Sequence, residues 1–252
     1  MDSNIAILVT GKIEKRITES LFESYSNIDN KILSTWDTED KEYIKEFEEN
    51  GFQIVLTTPP HTNTTTVNGT MMQLIPIASG VKYAKERGYE YLMRSRTDIV
   101  SSDFLKYLDK TKHLYKDKLT ALAFNTKYIF EVFICGKIDE MVKFYKVPHE
   151  TDMRPPEEFL SEEYIGILPV KDEDIRQKIT ETYNICKENS MQFYWLRERR
   201  MQYHLKETIS PYVRLIGTSE GCSSFLGPVI EKILAHPVSA VAGEMSPHPQ
   251  EL

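Results

Sequence analysis

The chain reads as an α/β protein: a mixed, mostly parallel sheet flanked by helices, in one domain with a helical C-terminal part. Three observations predict this. Strand-like and helix-like stretches alternate through the first hundred residues, the pattern of a parallel sheet with right-handed crossovers. The first apolar run, residues 5–9 (Ile-Ala-Ile-Leu-Val), is nearly continuous, as expected of a strand covered on both faces. The stretch 88–98, Gly-Tyr-Glu-Tyr-Leu-Met-Arg-Ser-Arg-Thr-Asp, reads as a helix stop followed by a buried strand ending in charged residues. Ligands of open α/β sheets bind beyond the carboxyl ends of strands. The strand ends near Thr10, Thr35 and Asp98 should therefore face one cleft.

The elements follow in order. The first strand ends at Thr10-Gly11-Lys12, and Ile17, Leu21, Phe22 and Tyr25 mark an amphipathic helix. Residues 31–35 form a second strand that ends in Trp36-Asp37. Residues 40–50 form a charged helix with Tyr43, Ile44 and Phe47 inward, stopped by Asn50-Gly51, and residues 52–56 a third strand. A polar, threonine-rich loop over 57–70 is long for a compact α/β unit. Pro76 either kinks the next helix or begins it. That helix carries Ile77, Val81 and Ala84 at helical spacing and stops at Gly88. After the strand ending at Asp98, Ser101-Ser102-Asp103 suits an N-cap for a helix through Leu108. Strands are predicted over 119–124 and 128–135, a short helix over 138–145, and a helix over 157–164 opened by Pro156. Further helices are predicted over 172–187, with Ile175, Ile179, Tyr183 and Cys186 on one face, over 192–206, and over 225–234.

Composition narrows the function. A net charge of −7 argues against a nucleic-acid surface. The cysteines, Cys135, Cys186 and Cys222, lack metal spacing and suit a reducing compartment. No apolar run is long enough for a signal peptide core or a membrane span. A soluble, cytoplasmic protein is the expectation.

Several separated blocks then carry a family pattern. They are the first strand ending before Gly11, the Leu33-Ser34-Thr35-Trp36 strand end, Gln73 with Gly80-Val81 and Ala84, and Arg96-Thr97-Asp98. Gly136-Lys137 and Pro156-Glu157-Glu158-Phe159-Leu160 follow. In this order, over roughly residues 4–165, the chain resembles the WavE-type lipopolysaccharide-synthesis family, a group assigned to glycosyl transfer and similar to the GT-A fold. It departs from the family pattern at Met72 and Pro76, where Arg and Ser are usual.

The resemblance implies a nucleotide-sugar donor and a glycan acceptor, lipid-linked or protein-linked, in the synthesis of a surface polysaccharide or glycoprotein glycan. It implies a GT-A-like domain over 1–234, with a nucleotide-sugar half over about 1–110, an acceptor half over about 111–234, and an extended or disordered tail over 235–252. GT-A enzymes place Asp-x-Asp after the fourth strand, and its last Asp holds Mn²⁺ or Mg²⁺ on the donor diphosphate. Here that position reads Arg96-Thr97-Asp98. Asp98 is thus a candidate metal ligand, or else a strand-end ion pair with Arg94 or Arg96. Arg94, Arg96 and Gln73 are candidates for binding the donor; a guanidinium suits phosphate. Thr10 and Gly11 would let a nucleotide approach the backbone, or form a simple tight turn. Asp37 could accept from ribose hydroxyls or cap the helix after it. Glu157 is a candidate catalytic base, and as a first-turn acid it also suits the helix dipole. His61 has no second histidine nearby, and Arg197, Arg199 and Arg200 read as a solvated face or a diphosphate clamp. A sugar-phosphate nucleotidyltransferase and a non-catalytic nucleotide- or glycan-binding module are the alternatives.

Overall fold

The computed structural model describes residues 4–13, 15–60, 69–101, 104, 118–121, 129, 131–149, 152, 154–166, 172–185 and 194–195. His61, the helix expected through Leu108 apart from Phe104, the strand beyond Ala121, Cys186, Cys222, Arg197, Arg199, Arg200, the helix over 225–234 and the tail lie outside these residues.

The expected mixed, mostly parallel sheet flanked by helices is present. Strands β1 (Ile5–Thr10), β2 (Lys31–Trp36), β3 (Phe52–Thr57) and β4 (Tyr91–Arg96) are joined by helices α1 (Lys15–Ser24), α2 (Lys41–Glu49) and α3 (Gly69–Glu86). These strands run parallel, in the order β3-β2-β1-β4. Beyond β4 the sheet turns mixed. Strand β7 (Cys135–Lys137) is antiparallel to β4, β6 (Thr120–Ala121) is antiparallel to β7, and β8 (Asn184–Ile185) is parallel to β6. A separate ribbon pairs β5 (Ile99–Val100) with β9 (Tyr194–Trp195). Helices α4 (Ile138–Phe144), α5 (Pro156–Ile165) and α6 (Asp172–Thr182) complete the described elements.

Every residue of β1 is buried, because helices cover both faces. On one face Ala6 and Leu8 join Leu74, Ile77, Val81 and Ala84 of α3 in the main core. On the other an aromatic layer forms, with Phe22 against Phe47 at 4.8 Å and Tyr25 stacked on Phe104 at 4.7 Å.

The local signals that set these elements are explicit. Asp40 caps α2, its side chain accepting from the Glu42 N–H at 2.9 Å, so Asp37 is not the cap. Helix α3 ends as a Schellman motif: Tyr89 N–H donates to Ala84 O and Gly88 N–H to Lys85 O. That helix begins at Gly69 and runs through Pro76 rather than starting there. Pro76 offers no donor to the carbonyl one turn back, and its own carbonyl accepts from Ser34 Oγ at 2.6 Å.

Three other expectations need correction. Over 128–135 the described residues include a bridge residue, Ile129, and a 3₁₀ turn at Glu131–Phe133, and among them the strand begins at Cys135 and runs to Lys137. The turn exists because Arg94 holds both the carbonyl and the carboxylate of Glu131. The helix over 172–187 stops at Thr182, where Tyr183 enters a ring cluster with Phe144 and Tyr164 and the chain joins the sheet at β8. Within 192–206, Tyr194–Trp195 is extended and pairs with β5.

Candidate functional site

The strand order creates the site. From β1 the chain steps outward to β2 and β3, then crosses back to place β4 on the other side of β1. At this switch point the carboxyl ends of β1 and β4 lie side by side, the place where open α/β sheets bind ligands. Thr10 and Arg96 are register partners there.

The turns after β1, β2 and β4 are laced together. Thr97 N–H donates to Thr10 O at 3.0 Å, and Thr97 Oγ1 to Lys12 O at 2.7 Å. Thr35 Oγ1 donates to Gly11 O at 2.9 Å. Gly11 sits at φ 131°, and a Cβ there would lie 2.6 Å from Thr97 Oγ1. Only glycine fits both that backbone conformation and that space. Thr10, Thr35 and the Thr97-Asp98 turn therefore share one rim, as the sequence leads one to expect.

The pleat of β4 puts Leu92, Arg94 and Arg96 on one face, and the two arginines have different fates. Arg96 lies at the strand end with its side chain 14% exposed and grips Asp98, Nε to Oδ1 at 2.7 Å and Nη2 to Oδ2 at 2.8 Å. Burial works against the Arg96 charge, but the Asp98 hydrogen bonds and the negative charges of Asp98, Glu131 and Glu157 outweigh it and raise its pKa. Arg94, one pleat deeper, is 1% exposed and forms an ion pair with Glu131, itself 2% exposed. Its Nε donates to Thr10 Oγ1 at 3.3 Å. Gln73, reaching in from α3, donates to Glu131 Oε1 at 2.6 Å, and Tyr145 Oη donates to Glu131 O at 2.9 Å. Arg94 and Gln73 thus meet at a buried carboxylate beneath the rim.

Glu131 escapes sequence reading. Its one signal is an acidic residue inside the apolar run Tyr128-Ile-Phe-Glu-Val-Phe-Ile, where an unpaired charge would be costly.

Glu157 opens α5 behind Pro155 and Pro156 and is half-buried. Burial first, then the Glu131 charge, pushes its carboxyl up; its own backbone N–H and the positive charges of Arg94 and Arg96 pull the other way. Glu157 thus feels the same two arginines and Glu131. Arg94 is matched by Glu131 and Arg96 by Asp98, so Glu157 is the carboxylate left over.

Asp37 lies apart from this group. It is exposed, turned to the end of β3, and its Oδ2 accepts from Thr58 Oγ1 at 2.5 Å. Glu39, in the turn between β2 and α2, is the acid that faces the β1 turn. Its Oε1 accepts from Ile13 N–H at 3.3 Å and lies 3.3 Å from Thr35 Oγ1.

The donor set can be tested against a divalent cation. Both Asp98 oxygens accept from Arg96. Among the described residues no three His, Cys, Asp or Glu side chains group to hold a metal. A Mn²⁺ or Mg²⁺ on Asp98 would have to share that carboxylate with Arg96 and take its other ligands from water or the donor. No helix among the described residues is long and apolar enough to cross a membrane.

No family model matches the chain, and no curated protein sequence matches it. Solved structures do. An active-site mutant of LgtC superposes with TM-score 0.42 at 9% identity, covering 91% of this chain and 95% of its own. Mouse xyloside xylosyltransferase 1, in its apo form, gives 0.38 at 10%, covering 85% and 94%. A Bacillus anthracis protein classed as a glucose-1-phosphate thymidylyltransferase, in complex with a sucrose, gives 0.36 at 9%, covering 75% and 88%. The first two are GT-A glycosyltransferases. Likeness this distant assigns neither activity nor residue roles, which rest on the side chains at the rim.

Proposed function

We propose that this chain is a glycosyltransferase on a GT-A-like sheet, moving a sugar from a nucleotide-sugar donor to a hydroxyl of a glycan acceptor. Surface polysaccharide or glycoprotein glycan synthesis suits such a reaction, in keeping with the WavE-type resemblance. The observation that supports the reading is the convergence at the switch-point strand ends of Gly11, the Arg96–Asp98 pair and the carboxylate Glu157, which shares the electrostatic surroundings of Arg94, Arg96 and Glu131.

Each group has a task. The donor's diphosphate lies along the β1 turn, where Gly11 lets the backbone come close. Arg96, its guanidinium plane fixed by Asp98, offsets the charge that grows on the leaving diphosphate. Glu157 accepts the proton of the acceptor hydroxyl as that oxygen bonds to the anomeric carbon. The bond from that carbon to the diphosphate oxygen breaks, the nucleoside diphosphate leaves with the electron pair, and the configuration inverts. A carboxyl pushed up by its surroundings is the stronger base for this step once ionised.

The test screens nucleotide sugars by thermal shift, then follows nucleoside diphosphate release with acceptor glycans. A donor at ~100 times its dissociation constant should stabilise the chain by about 2.7 kcal/mol. With both Asp98 oxygens on Arg96, added Mn²⁺ should not enlarge that shift. Glu157→Gln should slow turnover by roughly 10²–10⁴ with donor affinity nearly unchanged, and Glu158→Gln should do little. Retained configuration would move the base elsewhere. Release of pyrophosphate from a nucleoside triphosphate and a sugar 1-phosphate would replace this reading with nucleotidyl transfer.

A further inference from the structure

We propose that Glu39, and not Asp37, is the carboxylate that accepts a hydrogen bond from the 2′-hydroxyl of the bound nucleoside, so that the site prefers ribonucleotides to 2′-deoxyribonucleotides. This rests on the nucleotide-sugar reading above and names the part of the donor read at the end of β2.

Two acids stand at that strand end, and they point to different neighbours. Asp37 is exposed and committed to the β3 side, through Thr58 Oγ1 at 2.5 Å and through its own N–H on Thr57 O at 2.9 Å. Glu39 is committed to the β1 side, where the carboxyl ends of β1 and β4 meet. Its Oε1 meets Ile13 N–H, two residues past Gly11, at 3.3 Å. Thr35 Oγ1 has one proton to give, and Gly11 O at 2.9 Å is a nearer acceptor than Glu39 Oε1 at 3.3 Å. The half-buried carboxylate of Glu39 is therefore left with one long backbone hydrogen bond on Oε1. Among the described residues no hydrogen bond reaches Oε2.

An ionised carboxylate partly withdrawn from water and short of protein donors gains from each one it acquires. The burial that pushes the Glu39 carboxyl up, against the pull of Ile13 N–H, Thr35 and Lys12, is the same deficit seen as proton affinity. A nucleotide whose phosphates lie along the Gly11 turn would carry its ribose toward the end of β2, the position from which an acidic residue takes a 2′-hydroxyl in doubly wound sheets. A neutral hydroxyl donor fits this carboxylate better than a phosphate, which it would repel.

The experiment measures binding to the full chain by titration calorimetry, using UDP, GDP and their 2′-deoxy counterparts. The wild type should bind the ribonucleotides roughly ten to a hundred times more tightly, the span of one hydrogen bond to a charged group. Glu39→Gln, which keeps an acceptor for Ile13 N–H, should weaken the ribonucleotides and leave the deoxy forms unchanged; Asp37→Asn should alter neither. Equal affinities in the wild type would overturn the assignment without any variant. So would a Glu39→Gln chain that loses affinity for both forms alike, which marks a residue that only holds the turn. Failure of every nucleoside diphosphate to bind would overturn this assignment and the glycosyltransferase reading together.

Discussion

Arg94 and Arg96 are two residues apart on one face of β4, yet burial separates what they can do. Arg96 is partly open and sits at the rim, while Arg94 at 1% exposure is sealed against Glu131. Removing one partner of such a pair leaves an uncompensated buried charge, which costs about 3–5 kcal/mol, whereas replacing both by apolar groups of similar volume is often neutral. Arg94→Met alone should therefore destabilise by about 3–5 kcal/mol in urea unfolding. Adding Glu131→Leu should recover most of the loss, short of what Gln73 forfeits with its acceptor. A single variant within 1 kcal/mol of wild type would show that the pair is not sealed from water. This network is where the sequence stops being readable. Arg94, Arg96, Asp98 and Gln73 stand out as polar residues at strand ends or in a helix. That two of them meet at Glu131, across separations of 37 and 58 residues, depends on long-range packing, to which local patterns are blind.

Elements follow the same rule. Strands β1–β4 and helices α2 and α3 are legible because apolar runs, Asn50-Gly51 and Gly88 punctuate them, although the cap of α2 is Asp40 and not the Asp37 that the sequence suggested. The two-residue strands β8 and β9 are not, since Tyr183 continues the spacing of Ile175 and Ile179 although its burial comes from the ring cluster beside β8. The Gly80-Val81 pair, read as part of a family block, has a packing explanation. Helix α3 lies so close to the sheet that a Cβ at Gly80 would collide with Leu8 Cδ1 and sit 3.0 Å from Ser34 Cβ. Gly80→Ala gains about 0.5–1 kcal/mol of helix propensity. Overpacking a filled core costs about 1–3 kcal/mol, so the collision should win. The urea midpoint should fall with the slope unchanged. A rise in midpoint would mean that α3 can lift from β1 and β2 without loss.

At the scale of the whole molecule, the carboxylates divide into two classes with opposite consequences for pH. Glu39 and Glu157 are pushed up, each chiefly by burial. The folded chain holds their protons more tightly than the unfolded chain, so their contribution is full below the unfolded carboxylate value and is lost as pH rises through the folded one. Glu140 and Asp152 are pulled down, chiefly by hydrogen bonds from Lys143 and Arg154 respectively. Their contribution is present above the unfolded value, about 4, and is lost as pH falls through the folded one. A net charge of −7 adds self-repulsion that also grows toward alkaline pH. The pulled-down pairs lie at the surface, only partly covered, and are therefore weak, and they fail only at the acid end. Stability should thus peak on the acid side of neutrality and decline as pH rises through the raised carboxyls of Glu39 and Glu157. Thermal unfolding from pH 4 to 8 checks this, and Glu157→Gln, which removes one of the two raised groups, should flatten the alkaline decline. A melting temperature that climbs steadily to pH 8, or the same slope in the Gln chain, would mean that Glu157 is ionised and well solvated in the folded protein. In that case its role as the base would have to be sought in its position alone.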